Sequence, residues 1–137
     1  MLKRKAWERL EHWKRTDARK ALMITGARQI GKTTLVREFA KHHYRRFAEL
    51  NFLEDPRAAS VFDGSLSADA VISNLTAYLQ TQLEPGHTLI LLDEIQECPS
   101  ARTAIKFLVE DGRFDYVETG SLLGVKNKQV ASYPVGF

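Results

Sequence analysis

The 137-residue chain is poor in cysteine, in proline and in long apolar runs. Its single cysteine, Cys98, excludes an intramolecular disulfide framework and fits a reducing compartment. No apolar run approaches the roughly 18 residues that a membrane-spanning helix needs. The longest stretch without a charge, 70–83, is interrupted by Ser73, Asn74, Thr76, Gln80, Thr81 and Gln82. The start, Met1-Leu2-Lys3-Arg4-Lys5, has no apolar segment behind it and so lacks the form of a secretory signal. His12, His42, His43 and His87 are scattered, and no pair has metal-ligand spacing with a third partner, so no zinc site is expected. What is present is a composition 44% apolar and 27% charged, enough to bury one core. The expectation is a cytoplasmic protein without membrane segments.

Charge is unevenly placed. Residues 1–20 carry eight Lys/Arg and three Asp/Glu, a net +5, while residues 21–137 carry twelve and fourteen, a net −2. At 3.6 residues per turn, Leu2, Ala6, Trp7, Leu10 and Trp13 share one stripe, and Arg4, Lys5, Arg9 and Arg15 lie opposite. Residues 1–20 therefore form a basic amphipathic helix docked through its tryptophans. A contact from its charged face to nucleic-acid phosphates is the sharper alternative.

Beyond it, two kinds of segment alternate. Ala21–Thr25, Phe47–Leu53, Thr88–Leu92 and Tyr116–Thr119 read as strands, and Tyr133–Phe137 as the start of a fifth. Lys32–His42, a segment capped by Ser67, and a segment opened by Ser100 and ended by Gly112 read as helices. Strands this apolar have no wet face. The pattern predicts an α/β fold with a parallel sheet covered by helices on both sides.

The segment between the first strand and its helix carries the chemistry. Gly26-Ala27-Arg28-Gln29-Ile30-Gly31-Lys32-Thr33 fits G-x-x-x-x-G-K-[ST] at every fixed position, and Thr34 follows. Glycines let backbone N–H groups wrap closely around phosphates, and the following helix points its positive end at them. Lys32 supplies a compact positive charge and Thr33 a hydroxyl for Mg²⁺. Leu89-Ile90-Leu91-Leu92-Asp93-Glu94 is an apolar strand ending in two acids. Asp93 would deliver a carboxylate to the magnesium, and Glu94 would orient an attacking water. A small-molecule kinase has no use for a base aimed at water, so Glu94 argues for hydrolysis. Arg28 lies in the loop and can reach nucleotide, though that position usually faces solvent.

Gly26–Thr34, Leu91-Leu92-Asp93-Glu94-Ile95-Gln96 and Glu118-Thr119-Gly120-Ser121-Leu122-Leu123 resemble the AAA-type P-loop ATPase domain of a widespread prokaryotic family. Those ATP-binding proteins continue into a C-terminal domain, often restriction-endonuclease-like in fold and of unclear function. The resemblance implies a P-loop sheet of the additional-strand group, ordered 5-1-4-3-2. It implies that the tip of the fourth strand senses the γ-phosphate, through Ser121 first and Thr119 second, where Thr-Gly-Ser could equally be turn chemistry. Chains of this type run on past Tyr133-Pro134, so residues 21–137 are expected to be an ATPase core truncated at its C-terminal end.

The resulting expectation is an ATPase using ATP and Mg²⁺. Glu94, Lys32 and Ser121 are the catalytic candidates, 26–34 the nucleotide-binding residues, and Thr33 and Asp93 the metal ligands. The alternative is a non-hydrolysing, nucleotide-switched binding module that contacts DNA through the basic helix. No arginine follows the fourth strand, and Arg102 and Arg113 are expected on the solvated ends of a helix. An arginine finger would then come from a second copy in a homo-oligomer or from the C-terminal region.

Overall fold

The computed structural model describes residues 2–16, 20–25, 30–120 and 130–134, with side chains over 4–16, 20–25 and 31–120. Helix α1 (Leu2–Thr16) leads into β1 (Ala21–Thr25), α2 (Ile30–His43) and β2 (Arg46–Asn51). Then come α3 (Ala68–Leu79), β3 (Thr88–Asp93), α4 (Pro99–Asp111), β4 (Asp115–Gly120) and β5 (Val130–Pro134). All strands are parallel. Four lie in the order β2-β3-β4-β1, and the backbone of β5 pairs along the outer side of β1.

Parallel strands joined by helices must be covered on both faces, and the burial shows it. Every residue of β1 and β3 is buried, whereas edge strand β2 alternates between exposed or half-buried and buried positions. One face packs Leu22, Ile24, Leu89, Leu91 and Val117 against α1 and α2, with Leu35, Val36, Phe39 and Ala40 inward from α2. The other packs Met23, Leu50, Ile90, Leu92 and Tyr116 against α3 and α4, with Val71, Ile72, Leu75, Ile105 and Leu108 inward.

The amphipathic reading of α1 holds at Ala6, Leu10 and Trp13, all buried. Each large apolar side chain so buried contributes roughly 1.5–3 kcal/mol. Trp7 meets Phe39 edge-on at 5.5 Å, Trp13 Nε1 donates to the Lys20 carbonyl at 2.8 Å, and His43 lies 3.5 Å from Glu11. Arg4, Lys5, Arg9 and Arg15 are exposed.

Several boundaries differ from the sequence reading. Strand β2 ends at Asn51, two residues early, because Asn51 Oδ1 accepts the Leu53 and Glu54 N–H groups at 3.0 and 2.9 Å and turns the chain. A 3-10 helix, Pro56–Phe62, capped by Asp55 with Pro56 in its first turn, has no counterpart among the expected elements. Ser67 does cap α3, accepting from the Ala70 N–H. Helix α4 starts at Pro99 rather than Ser100, since proline suits a first turn whose N–H has no intrahelical partner. Gly112, with φ of 80°, ends it. The fifth strand begins at Val130 instead of Tyr133, and 135–137 lie outside the described residues.

Candidate functional site

In an open parallel sheet the carboxyl ends of the strands share one edge, and ligands bind there. The register aligns Asn51 with Asp93 and Ile24 with Thr119, which sets the tips of β2, β3, β4 and β1 side by side. Helix α2 begins over the same edge, leaving its first backbone N–H groups without intrahelical partners.

Asp93, 5% exposed, is the hub. Thr33 Oγ1, in the first turn of α2, donates to Asp93 Oδ2 at 3.2 Å across 60 residues of sequence. Asn51 Nδ2 donates to the same oxygen at 3.1 Å, and Thr119 Oγ1 donates to Oδ1. Three donors from three different elements thus fix one carboxylate. Thr119 does a second task, accepting the backbone N–H of Glu94 at 3.0 Å. Lys32, 4% exposed, sits one residue before Thr33. A Cβ placed on Gly31, in the first turn of α2, would meet no described atom within 4 Å. Arg37 grips Glu49 through two hydrogen bonds of 2.8 Å, which ties α2 to β2 beside the site.

Glu94 leaves the strand with φ of 58° and ψ of 50°, a left-handed conformation that costs a non-glycine residue roughly 1 kcal/mol. Its backbone is held by Thr119, and its carboxylate accepts from Gln96 Nε2 at 2.8 Å. Strain of this kind concentrates where a side chain must be aimed.

The residues singled out in the sequence divide into three groups. Lys32, Thr33, Asp93 and Glu94 are brought together at the strand tips. Gly31 and Thr34 lie exposed in the first turns of α2, and Ile30 begins that helix. Gly26, Ala27, Arg28, Gln29 and Ser121 lie outside the described residues. Thr119, the second of the two sensor candidates, donates to Asp93. Sequence reasoning misses Asn51. A polar residue at the carboxyl end of a strand is the available signal, and the reading of β2 as running to Leu53 hides it.

One further expectation changes. Arg102 is not on a solvated helix end: its side chain is 10% exposed, with Nη1 3.7 Å from Glu118 Oε1. It lies on the inner side of α4, near the start of the helix, facing β4. Arg113, by contrast, is bound to Asp111 and Asp69 near the surface. Cys98 is buried, and burial pushes its thiol pKa up, away from reactivity.

Chemically, the tips offer two hard oxygen donors near enough for one small cation to touch both, a buried ammonium and a helix N-terminus. That set suits Mg²⁺ and a polyphosphate. Among the described residues there is no cluster of three or more His, Cys, Asp or Glu able to hold a metal, and no helix long and apolar enough to cross a membrane.

No curated protein matches the chain. Among solved structures, one reported as the structure of C. elegans PCH-2 superposes with a TM-score of 0.58 at 17% identity. The match covers 98% of this chain and 39% of that one, so this chain spans about two fifths of that protein's length. At such identity the likeness is one of fold. A family model described as AAA domain matches residues 18–137, which takes in every strand and every site residue named above, and the chain belongs to the AAA domain family.

Proposed function

We propose that the protein binds ATP with Mg²⁺ at 26–34 and hydrolyses it to ADP and phosphate, as the motor or switch core of a larger protein. The observation that carries this is the meeting of Thr33 and Asp93 at 3.2 Å beside buried Lys32. Family membership supplies the nucleotide-binding class.

In this reading Lys32 and the first N–H groups of α2 hold the β- and γ-phosphate oxygens. Thr33 and Asp93 hold the magnesium, which when bound neutralises phosphate charge. Glu94 orients the attacking water and takes its proton. Thr119 keeps Asp93 and the Glu94 backbone at fixed spacing, so metal ligand and base move together. The sheet is then of the additional-strand group, order 5-1-4-3-2, a reading that β5 beside β1 supports. A second copy or the C-terminal region supplies an arginine finger, since Arg102 and Arg113 are both engaged elsewhere. The reducing, ATP-containing cytoplasm suits it.

One observation favours a second reading, a non-hydrolysing switch with a DNA contact. Helix α1 packs on α2, the helix that carries Lys32, while Arg4, Lys5, Arg9 and Arg15 are exposed. Calorimetric titration with Mg-ATP and with ATP plus EDTA, followed by steady-state phosphate release, decides between them. Tight binding that needs Mg²⁺ together with turnover is expected. Binding without turnover selects the switch, and no binding overturns both.

A further inference from the structure

Gln96 follows the acidic pair by two residues, and nothing in the proposed reaction uses it. Its position is specific in two independent ways. Nε2 donates to Glu94 Oε1 at 2.8 Å. The other end of the same amide lies against the tip of β4, where a Cβ built on Gly120 would come within 2.8 Å of Gln96 Oε1. Gly120 is not in a left-handed conformation, so what it supplies is room for that amide. Glutamine reaches this place because Glu94 turns the chain into the 3-10 helix Ile95–Glu97, which swings Gln96 back over β4 while Ile95 is buried beneath.

We infer that Gln96 is a positioning residue, an amide wedged between Gly120 and Glu94 that fixes the direction of the Glu94 carboxylate over the tip of β4. The physical need is plain. A carboxylate on a two-carbon stem, half-buried at the site mouth, samples several rotamers. A base must lie within hydrogen-bond reach of the water it activates. A charge-assisted hydrogen bond from an amide that lies against Gly120 favours one rotamer without adding a charge. The inference rests on the hydrolase reading above.

The test is a double-mutant cycle read by kcat and KM separately. Because the bond is partly exposed, Gln96→Ala should lower kcat about fivefold, less than the roughly tenfold a buried bond to a charged group would bring. KM for ATP should stay within twofold. Gly120→Ala, which displaces the amide while leaving Gln96 and Glu94 themselves unchanged, should reproduce that loss. In a Glu94→Gln background Gln96→Ala should have no further effect. Additive losses, or a changed KM at constant kcat, would overturn the inference. Side-chain amide NMR supplies a readout that needs no turnover: the Gln96 NH₂ resonance should move on Glu94→Ala. If the parent binds ATP but does not hydrolyse it, the hydrolase reading fails, and an unmoved Gln96 resonance then overturns the wedge as well.

Discussion

Two carboxylates sit near the tips of neighbouring strands, on opposite faces of the sheet, and the protein treats them differently. Asp93 on β3 faces α2 and accepts hydrogen bonds from Thr33, Asn51 and Thr119. Glu118 on β4, whose register partner is Leu92, faces the α4 side, where it is fully buried and neither oxygen has a hydrogen-bond partner. Arg102 at 3.7 Å is its ion-pair partner. Desolvation pushes the Glu118 carboxyl up to about 7, with Arg102 pulling the other way. Donors hold the first carboxylate in place, whereas the second is a carboxyl folded into a core beside one guanidinium. A strand tip thus becomes a site through what converges on it, since an acid alone is not enough.

The largest effect should come from Glu118. Its ordinary pKa is 4.5 and its folded value is raised, so the fold favours the protonated form. That stability is full below pH 4.5 and is lost as pH rises to about 7. Each tenfold change in proton affinity is worth about 1.4 kcal/mol, so the loss approaches about 3 kcal/mol. Urea unfolding at pH 5, 6, 7 and 8 should show this fall in the parent and not in Glu118→Gln. Parallel profiles would mean that Glu118 stays ionised in the fold, and the contrast with Asp93 would collapse.

On the other face, Glu94→Gln should leave ATP binding intact and lower turnover about a hundredfold, about 2.7 kcal/mol, because the amide cannot take a proton. Unchanged turnover in single-turnover measurements would remove Glu94 from the chemistry. Lys32→Ala should weaken ATP at least tenfold, about 1.4 kcal/mol, by calorimetry, with the unfolding midpoint near that of the parent. Equal affinity would argue that this face binds no phosphate. The smallest effect serves as a control on the Glu118 face. Ser67→Ala removes the α3 cap and should cost about 1 kcal/mol at every pH between 5 and 8. A pH-dependent cost there would show that Glu118 is not the source of the slope.

Much of this is legible in the chain. Periodicity locates four strands and four helices, and the G-x-x-x-x-G-K-[ST] pattern with Asp93 and Glu94 names the core of the site. Such signals are local, since an apolar strand or a phosphate loop needs only its own residue types in order. Asn51 is not legible, because what makes it matter is its register with Asp93 on another strand. Nor is Arg102, because apolar spacing says which helix face is buried but not that a guanidinium on it meets a buried acid.

Residue order alone accounts for the alternation of strands and helices, the charged outer face of α1, the buried faces of α1 and α2, and the residue types able to hold phosphate and a cation. Each follows from interactions within a few residues, where backbone geometry and hydropathy suffice. Tertiary pairing was needed to make Thr33 and Asp93 meet across 60 residues, to link Asp93 through Thr119 to the Glu94 backbone, and to seal Glu118 behind the sheet while Asp93 opens toward α2. Those outcomes depend on strand order and register. Parallel pairing aligns the tips of strands far apart in the chain, and the alternation of side chains then assigns each acid its face.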